Sequence, residues 1–124
     1  MPTRAIRGAT TASENSETAI LNAASELLRA ILVANALAPA NLISVLFTIT
    51  HDLDAAYPTR AARELGWTDV PLLDAQQPRI ASDLPRCVRV LIHCESERAM
   101  SEIKHVYLDE AKKLRPDLTE GGER

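Results

Sequence analysis

The sequence predicts a single domain of mixed α and β structure, and three observations lead to that prediction. The chain has 124 residues, which is a usual size for one domain. Its composition is 46% hydrophobic but only 3% aromatic, so the core must be built mainly from Leu, Ile, Val and Ala. A segment with helical spacing stands among short runs of β-branched and apolar residues, which favours strands packed on a helix.

The most regular segment begins at Glu17, where apolar residues recur every three or four positions. This spacing predicts a helix from Glu17 to about Ala34 with one buried face. Polar residues at 13–16 offer several N-caps, Asn35 suits a left-handed C-cap, and Pro39 prevents simple continuation. The predicted buried face consists of Ile20, Leu21, Ala24, Leu27, Leu28, Ile31 and Leu32.

Three apolar segments predict strands. Thr3 to Thr10 alternates weakly and predicts a short strand that ends near Gly8. Ile43 to Thr50 is an unbroken apolar and β-branched run, typical of a central strand covered on both faces. Arg86 to Cys94 predicts a strand whose opposite faces carry, respectively, Val88, Val90 and Ile92, and Cys87, Arg89, Leu91 and His93.

The remaining segments are shorter or less regular. Pro58 to Gly66 predicts a short helix that begins at the proline, ends at the glycine and places Arg60 and Arg63 about one turn apart. Val70 to Leu73 predicts a short strand. The segment from Glu97 to Lys113 is ambiguous, because its charged residues suit a helix while its apolar centre suits a strand.

Composition and spacing argue against several classes of function. The formal net charge of −3 argues against non-specific binding to nucleic acid, which needs a basic surface. No apolar run reaches about 18 residues and the first residues lack a signal-peptide pattern, so we expect a soluble, cytoplasmic protein with no membrane partner. Cys87 and Cys94 would lie roughly 23 Å apart along one strand, too far for a disulfide. His51, His93 and His105 lack metal-ligand spacing, so we expect no metal site.

Known catalytic motifs are absent, and the unusual feature is one arginine. The sequence has no GxSxG, HExxH, Walker or GxGxxG motif. Arg89 interrupts an apolar strand, and it needs an anionic partner because an unpaired buried charge costs several kcal/mol. The pattern leaves open whether that partner is a ligand or an Asp or Glu in a structural salt bridge. Taken alone, Arg7, Arg60 and Arg63 suit surface positions, and Tyr107 suits a core position.

Four stretches of the chain together resemble one known family. They are RAIRGATT at 4–11, DLDAAYPTRAARELGW at 52–67, RCVRV at 86–90 and HVYLDEAKKLRPDL at 105–118. In order and spacing they resemble the AroH-type chorismate mutases, the small monofunctional class known from bacilli and Thermus. The likeness extends over nearly the whole chain.

The resemblance implies a fold, an assembly and a reaction. The implied fold is α+β, a mixed β-sheet packed on one long helix, in which residues 106–114 form a strand. The implied assembly is a homotrimer, a trimeric pseudo-α/β-barrel with active sites between subunits. The implied reaction is the Claisen rearrangement of chorismate to prephenate in aromatic amino acid biosynthesis, which uses no cofactor. The expected domain is 1–114, with a mobile tail at 115–124 that closes over the site.

The resemblance also assigns roles to individual residues. Arg89 matches the arginine that contacts the breaking ether oxygen and a carboxylate of the substrate. Arg7 matches an arginine that binds a substrate carboxylate, and Tyr107 a tyrosine that hydrogen-bonds one. Further expected contacts are Tyr57 and the apolar wall at Leu72 and Leu73, the basic mouth at Arg60 and Arg63, and the closing segment at Leu114 and Arg115.

One position departs from the family pattern. The family usually has a glutamate that contacts the ring hydroxyl of the substrate, and the aligned residue here is Gln77, which we count with Arg89 and Arg7 as catalytic. Asp74 is an alternative source of a carboxylate. The departure leaves two alternatives to a chorismate mutase: a non-catalytic trimer that binds a small carboxylate, and a trimeric enzyme that acts on another small acid, such as an imine deaminase.

Overall fold

A computed structural model gives the fold of this protein, and it describes residues 1–114. The predicted tail at 115–124 lies outside the described residues. Short 3₁₀ turns occupy Pro39–Asn41, Met100–Glu102 and Asp109–Lys113. The helices and strands, in chain order, are β1 (Thr3–Thr11), α1 (Glu17–Asn35), β2 (Leu42–Ile49), α2 (Thr59–Glu64), β3 (Leu72–Gln76), β4 (Cys87–Glu95) and β5 (Val106–Tyr107).

The strands form one mixed sheet in the order β3-β2-β4-β1-β5. Strand β4 runs antiparallel to both of its neighbours, β1 and β2, whereas the β1/β5 and β2/β3 pairs are parallel. The register places Ala9 opposite Arg89 and Arg7 opposite Leu91, so both arginines point to the same face of the sheet. The predicted α+β fold with a mixed sheet on one long helix is therefore confirmed.

Helix α1 covers the other face of the sheet and forms the main core with it. Its buried residues include Ile20, Leu27, Leu28 and Ile31, as its spacing predicts. The hydroxyl of Ser16 caps the helix by accepting a hydrogen bond from the amide of Ala19 at 3.1 Å. Because the long helix shields only this face, the face that carries the two arginines is left partly open in the single chain.

The C-terminal end of α1 differs from the prediction. The left-handed residue is Ala36, with φ of 53°, and Asn35 is instead the last helical residue. The Asn35 side chain is buried, and its Nδ2 donates to the carbonyl oxygens of Ile31 and Lys104 at 3.0 and 2.9 Å. Because these hydrogen bonds hold Asn35 in the helical conformation, the left-handed residue that ends the helix is the next one, Ala36.

Three strand predictions also need correction. Strand β1 continues through Gly8 to Thr11, because Gly8 has strand partners on both sides, Val90 and Val106. The predicted strand at Val70–Leu73 is shifted to Leu72–Gln76, where pairing with β2 begins after Pro71. The strand expected over 106–114 has only two residues, because a 3₁₀ turn begins at Asp109, whose φ is 51°.

Strand β2 lies inside the sheet, between β3 and β4, but only one of its faces is covered within the single chain. Val45 and Phe47 are buried against the α1 side, while Leu46, on the opposite face, is only half-buried. The prediction of cover on both faces is thus not met within one chain.

Among residues 1–114, no helix is long and apolar enough to cross a membrane. The cytoplasmic location stays a prediction.

Candidate active site

The open face of the sheet contains a cavity of about 340 Å³. Strands β1, β2, β4 and β5 all contribute side chains to it, and the end of the described chain lies at its edge. This size falls in the range of small-molecule sites. The lining residues are Arg7, Gly8, Ala9, Leu46, Thr48, Arg89, Val90, Leu91, Tyr107 and Leu114.

Arg89 lies on the central strand β4, between Ala9 of β1 and Thr48 of β2. Its Nη2 lies 3.7 Å from Oδ1 of Asp83, and its side chain is 40% exposed. Its Nε, however, is buried and has no hydrogen-bond partner in the described part of the chain. The sequence left open a structural salt bridge or a ligand as the partner of Arg89, and the structure is compatible with both. Arg89 forms a long ion pair with Asp83, and it also has a buried donor without a protein partner at a cavity.

Arg7 and Tyr107 reach the same cavity from the neighbouring strands β1 and β5. The backbone amide of Arg7 donates to Nδ1 of His105 at 3.0 Å, which ties the start of β5 to β1. Tyr107 and Arg89 both pair with Ala9, from opposite sides, so their side chains project from the same face of the sheet with Ala9 between them. Within residues 1–114, the guanidinium of Arg7 has no carboxylate within 4 Å. Its charge is thus free to bind an anionic ligand.

Leu114 and the turn before it cover one end of the cavity. Ala9, Cys87 and Ala111 form a small buried cluster on the open face, and Tyr107 and Leu114 pack against it. The amide of Leu114 donates to the carbonyl of Ala111 at 3.0 Å, which fixes the leucine at the cavity edge. Arg115, the other residue predicted for this segment, lies outside the described residues.

Gln77 is buried directly after β3, and a hydrogen bond fixes the orientation of its side chain. Its Nε2 donates to Oδ2 of Asp83 at 2.7 Å, while its Oε1 is buried without a partner in the described chain. Gln77 and Asp83 line a second cavity of about 370 Å³ beside the first. Because Asp83 also contacts Arg89, this carboxylate lies between the two cavities.

Sequence reasoning missed Asp83. The residue lies in the segment between β3 and β4, where an isolated polar residue gives no periodic signal. The available clue was its spacing, six residues after Gln77 and six before Arg89, both already selected as candidates. Only the folded chain reveals that the turn brings its carboxylate to both of them.

The remaining predicted residues lie away from this cavity. Tyr57 is 69% exposed and lines a third cavity together with Arg60. Arg60 pairs with Glu17 at 2.7 Å and with Glu64 at 3.1 Å, and the hydrogen bond that its guanidinium donates to Glu17 raises the pKa of Arg60. Arg63 is exposed, and its Nη1 lies 3.4 Å from the hydroxyl of Thr59. The single chain does not bring these side chains to Arg7 and Arg89.

Asp74 and the two predicted leucines of β3 also have distinct surroundings. The carboxylate of Asp74 accepts from the backbone amide of Thr59 at 3.1 Å and from its hydroxyl at 2.5 Å, so it anchors the start of α2. Leu72 packs against the main core. Leu73 points to the opposite, open face beside Leu46 and is 65% exposed. Strand alternation thus separates two residues that were predicted to form one wall.

A polar network fixes the start of β4 and therefore the position of Arg89. The carboxylate of Asp52 accepts from the hydroxyl of Thr50 at 2.5 Å and from the amide of Arg86 at 2.9 Å. The Thr50 hydroxyl in turn accepts from the amide of Cys87 at 3.0 Å. Burial raises the pKa of Asp52, but hydrogen bonds from the Thr50 hydroxyl and from the backbone amides of Arg86 and Asp52, together with the nearby His51, leave that pKa lowered.

The two cysteines are free and buried. Burial raises the pKa of the Cys87 thiol, and the neighbouring Arg89 guanidinium offsets only part of that effect. The thiol therefore stays neutral at pH 7 and does not neutralise Arg89.

Among residues 1–114, no group of three or more His, Cys, Asp or Glu side chains is placed to hold a metal ion.

Comparison with known proteins identifies relatives that span nearly all of the chain. Residues 3–118 match the family model described as Chorismate mutase type I. A protein named Chorismate mutase AroH from Thermus thermophilus is 44% identical over 116 residues, which cover 93% of this chain and 95% of the relative. The protein of the same name from Bacillus subtilis (strain 168) is 38% identical over 120 residues, or 96% and 94% of the two chains.

A solved structure agrees with these sequence matches. The structure titled Chorismate mutase from Clostridium thermocellum superposes with a TM-score of 0.87 at 41% sequence identity. The superposition covers 88% of this chain and 97% of that one. The resemblance drawn from the four sequence motifs is therefore confirmed.

Proposed function

Because the chain belongs to the chorismate mutase type I family, it is a chorismate mutase, and we propose that it rearranges chorismate to prephenate in the cavity lined by Arg7, Arg89 and Tyr107. The enzyme is an isomerase of aromatic amino acid biosynthesis. Because the rearrangement takes place within one molecule, the protein needs only to hold a compact dicarboxylate and stabilise the charge that develops in it.

The convergence of three polar side chains on one cavity supports this proposal most strongly. Arg7, Arg89 and Tyr107 come from three different strands and line the same space of about 340 Å³. Two cations and a phenol suit a small dianion, whereas apolar neighbours such as Leu46 and Leu91 suit its carbon ring. Placement on the sheet fixes these groups before the substrate binds.

In this proposal Arg89 stabilises the transition state. Its buried Nε has no partner among residues 1–114, so it is a donor that a ligand oxygen can satisfy. Negative charge builds on the ether oxygen as the carbon–oxygen bond breaks. A fixed cation beside that oxygen stabilises the transition state more than the ground state and therefore lowers the barrier. The 3.7 Å contact with Asp83 is long enough for this charge to remain available.

Arg7 and Tyr107 bind the carboxylates. A guanidinium can donate two parallel hydrogen bonds to one carboxylate, and this geometry sets the orientation of the substrate. The Tyr107 hydroxyl adds one donor from the adjacent strand. By holding both ends of a flexible molecule, these side chains use binding energy to keep the substrate in the compact conformation that the reaction requires.

We propose further that the active site is completed by a second copy of the chain in a homotrimer. Within one chain, Tyr57, Arg63 and Leu73 do not line the cavity of Arg89, yet all three are exposed. Tyr57 and Leu73 are 69% and 65% exposed, and Leu73 continues an apolar row through Leu46 and Leu91 on the open face. A neighbouring subunit packed on that face would bury these residues and close the cavity.

A mixing experiment tests the shared site. Arg89→Ala and Arg63→Glu disable opposite halves of the proposed site, so each variant alone should be nearly inactive. When the two are unfolded together and refolded at equal amounts, about a quarter of the sites in random trimers should hold both native halves and recover activity. Sedimentation should give a trimer. A monomer, or no recovery on mixing, would contradict the shared site.

Direct assay tests the function itself. Purified protein is mixed with chorismate, the loss of its ultraviolet absorbance is followed, and prephenate is identified in the product. We expect turnover far above the uncatalysed rate. A folded protein that binds chorismate without producing prephenate would instead indicate the non-catalytic alternative, which the names of both relatives do not favour.

A further inference from the structure

The carboxylate of Asp83 contacts two candidate catalytic side chains at once. Its Oδ2 accepts a hydrogen bond from Nε2 of Gln77 at 2.7 Å, and its Oδ1 lies 3.7 Å from Nη2 of Arg89. The Asp83 side chain is only 29% exposed. The segment that carries Asp83 thus joins the end of β3 to Arg89, near the start of β4, through one carboxylate.

This contact fixes which way the Gln77 amide points. An ionised carboxylate only accepts hydrogen bonds, so the NH₂ group of Gln77 must face Asp83 and the carbonyl oxygen Oε1 must face away. That Oε1 is buried and has no partner in the described chain. The result is an acceptor of known orientation that lacks a donor.

Arg89 shows the opposite case, a buried donor without an acceptor. This donor is its Nε, which has no hydrogen-bond partner within residues 1–114. Arg89 lines the first cavity and Gln77 the second, and Asp83 contacts both side chains. Leaving a buried polar atom unsatisfied costs about 1–3 kcal/mol, so the two atoms point to a ligand that reaches both cavities and satisfies both. Chorismate carries a ring hydroxyl that can donate and an ether oxygen that can accept.

We propose that Asp83 is a positioning residue for the rearrangement. It holds the Gln77 oxygen ready to accept from the ring hydroxyl, steadies the Arg89 guanidinium, and supplies the negative charge that a glutamine lacks. This proposal rests on the proposed function. It also predicts that Gln77→Glu lowers activity, because the new carboxylate would face Asp83 where a 2.7 Å hydrogen bond now stands.

The test is a charge swap measured by steady-state kinetics with chorismate. Asp83→Asn removes the charge and lets the pair adopt either amide orientation, so we expect kcat to fall about tenfold or more with a smaller change in KM. Gln77→Glu alone should also lose activity through repulsion. The double variant Gln77→Glu with Asp83→Asn restores one carboxylate and one amide, and should recover kcat to within about threefold of wild type.

Controls separate this inference from folding and from the proposed function. Asp69→Asn changes an exposed aspartate of the same chain and should leave kcat unchanged. Thermal melting reports whether each variant is folded, and the recovery in the double variant cannot come from a damaged fold. If wild type failed to turn over chorismate, the proposed function would fall. If wild type is active, then an unchanged or higher kcat in Asp83→Asn, or losses that simply add in the double variant, would overturn the role of Asp83 alone.

Discussion

The side chain of Asn35 hydrogen-bonds both backbone groups of Lys104, accepting from its amide at 2.8 Å and donating to its carbonyl at 2.9 Å. This pair joins the end of α1 to the segment that leads into β5. Because β5 carries Tyr107, the buried asparagine also supports the cavity. A residue that the sequence suggested as a simple helix cap thus connects the core to the candidate site.

Replacing Asn35 with alanine should destabilise the protein. The substitution removes the side-chain partner of three backbone groups, two of Lys104 and one of Ile31, and leaves a void, so we expect a loss of about 2–3 kcal/mol in the free energy of unfolding. Urea unfolding measures it. Asn22→Ala, at an exposed position of the same helix, is the matched control and should change stability by less than about 0.5 kcal/mol. Equal effects of the two substitutions would show that the Lys104 contacts contribute nothing.

Gly8 permits the close approach of α1 to the sheet. A Cβ atom at this position would lie 2.7 Å from Cδ1 of Ile31 and 3.2 Å from the carbonyl oxygen of Val106. Gly8→Ala should therefore lower stability by about 1–3 kcal/mol. Adding Ile31→Val removes the closest atom, so the double variant should lose less than the sum of the two single losses. Strictly additive losses in thermal melting would contradict this steric account.

The pH dependence of stability should reveal the network of Asp52. Its pKa is lowered in the folded protein from 3.8, so the ionised form stabilises the fold above that value, and this contribution is lost as pH falls through the folded pKa. Asp52→Asn should cost about 1 kcal/mol at pH 7. The difference from wild type should shrink below about pH 4 and stay constant from pH 5 to 8. If the stability difference between wild type and Asp52→Asn instead grew as pH fell, the ionised form of Asp52 would not be the stabilising one, and the role assigned to Asp52 would be wrong.

The sequence was sufficient for the regular elements because their patterns are local. Helical spacing identified α1 and its buried face, and alternation placed Arg89 on the side of β4 opposite Val90. The motif resemblance supplied the fold and the mixed sheet. The boundaries that failed depend on partners distant in sequence: β1 passes through Gly8 because strands on both sides pair with it, and β5 stops where Asp109 turns the chain.

The candidate site was predictable only in part for the same reason. Resemblance selected Arg7, Arg89 and Tyr107, and the fold brings them to one cavity. No local pattern could select Asp83, because its importance comes from contacts made by a turn across the end of the sheet. Likewise, Tyr57 lies away from the cavity in the single chain, and its predicted contact with the substrate requires the proposed trimer.

The kinetics of Arg89 variants test the central claim most directly. With chorismate as substrate, Arg89→Ala should lower kcat by about 10²–10³ or more, because it removes a preorganised cation from the breaking ether bond. Arg89→Lys should remain strongly impaired, because a lysine cannot reproduce the direction of the Nε donor. The control Arg29→Ala, on the exposed side of α1, should keep wild-type kcat. A folded Arg89→Ala enzyme with near-normal kcat would contradict the account.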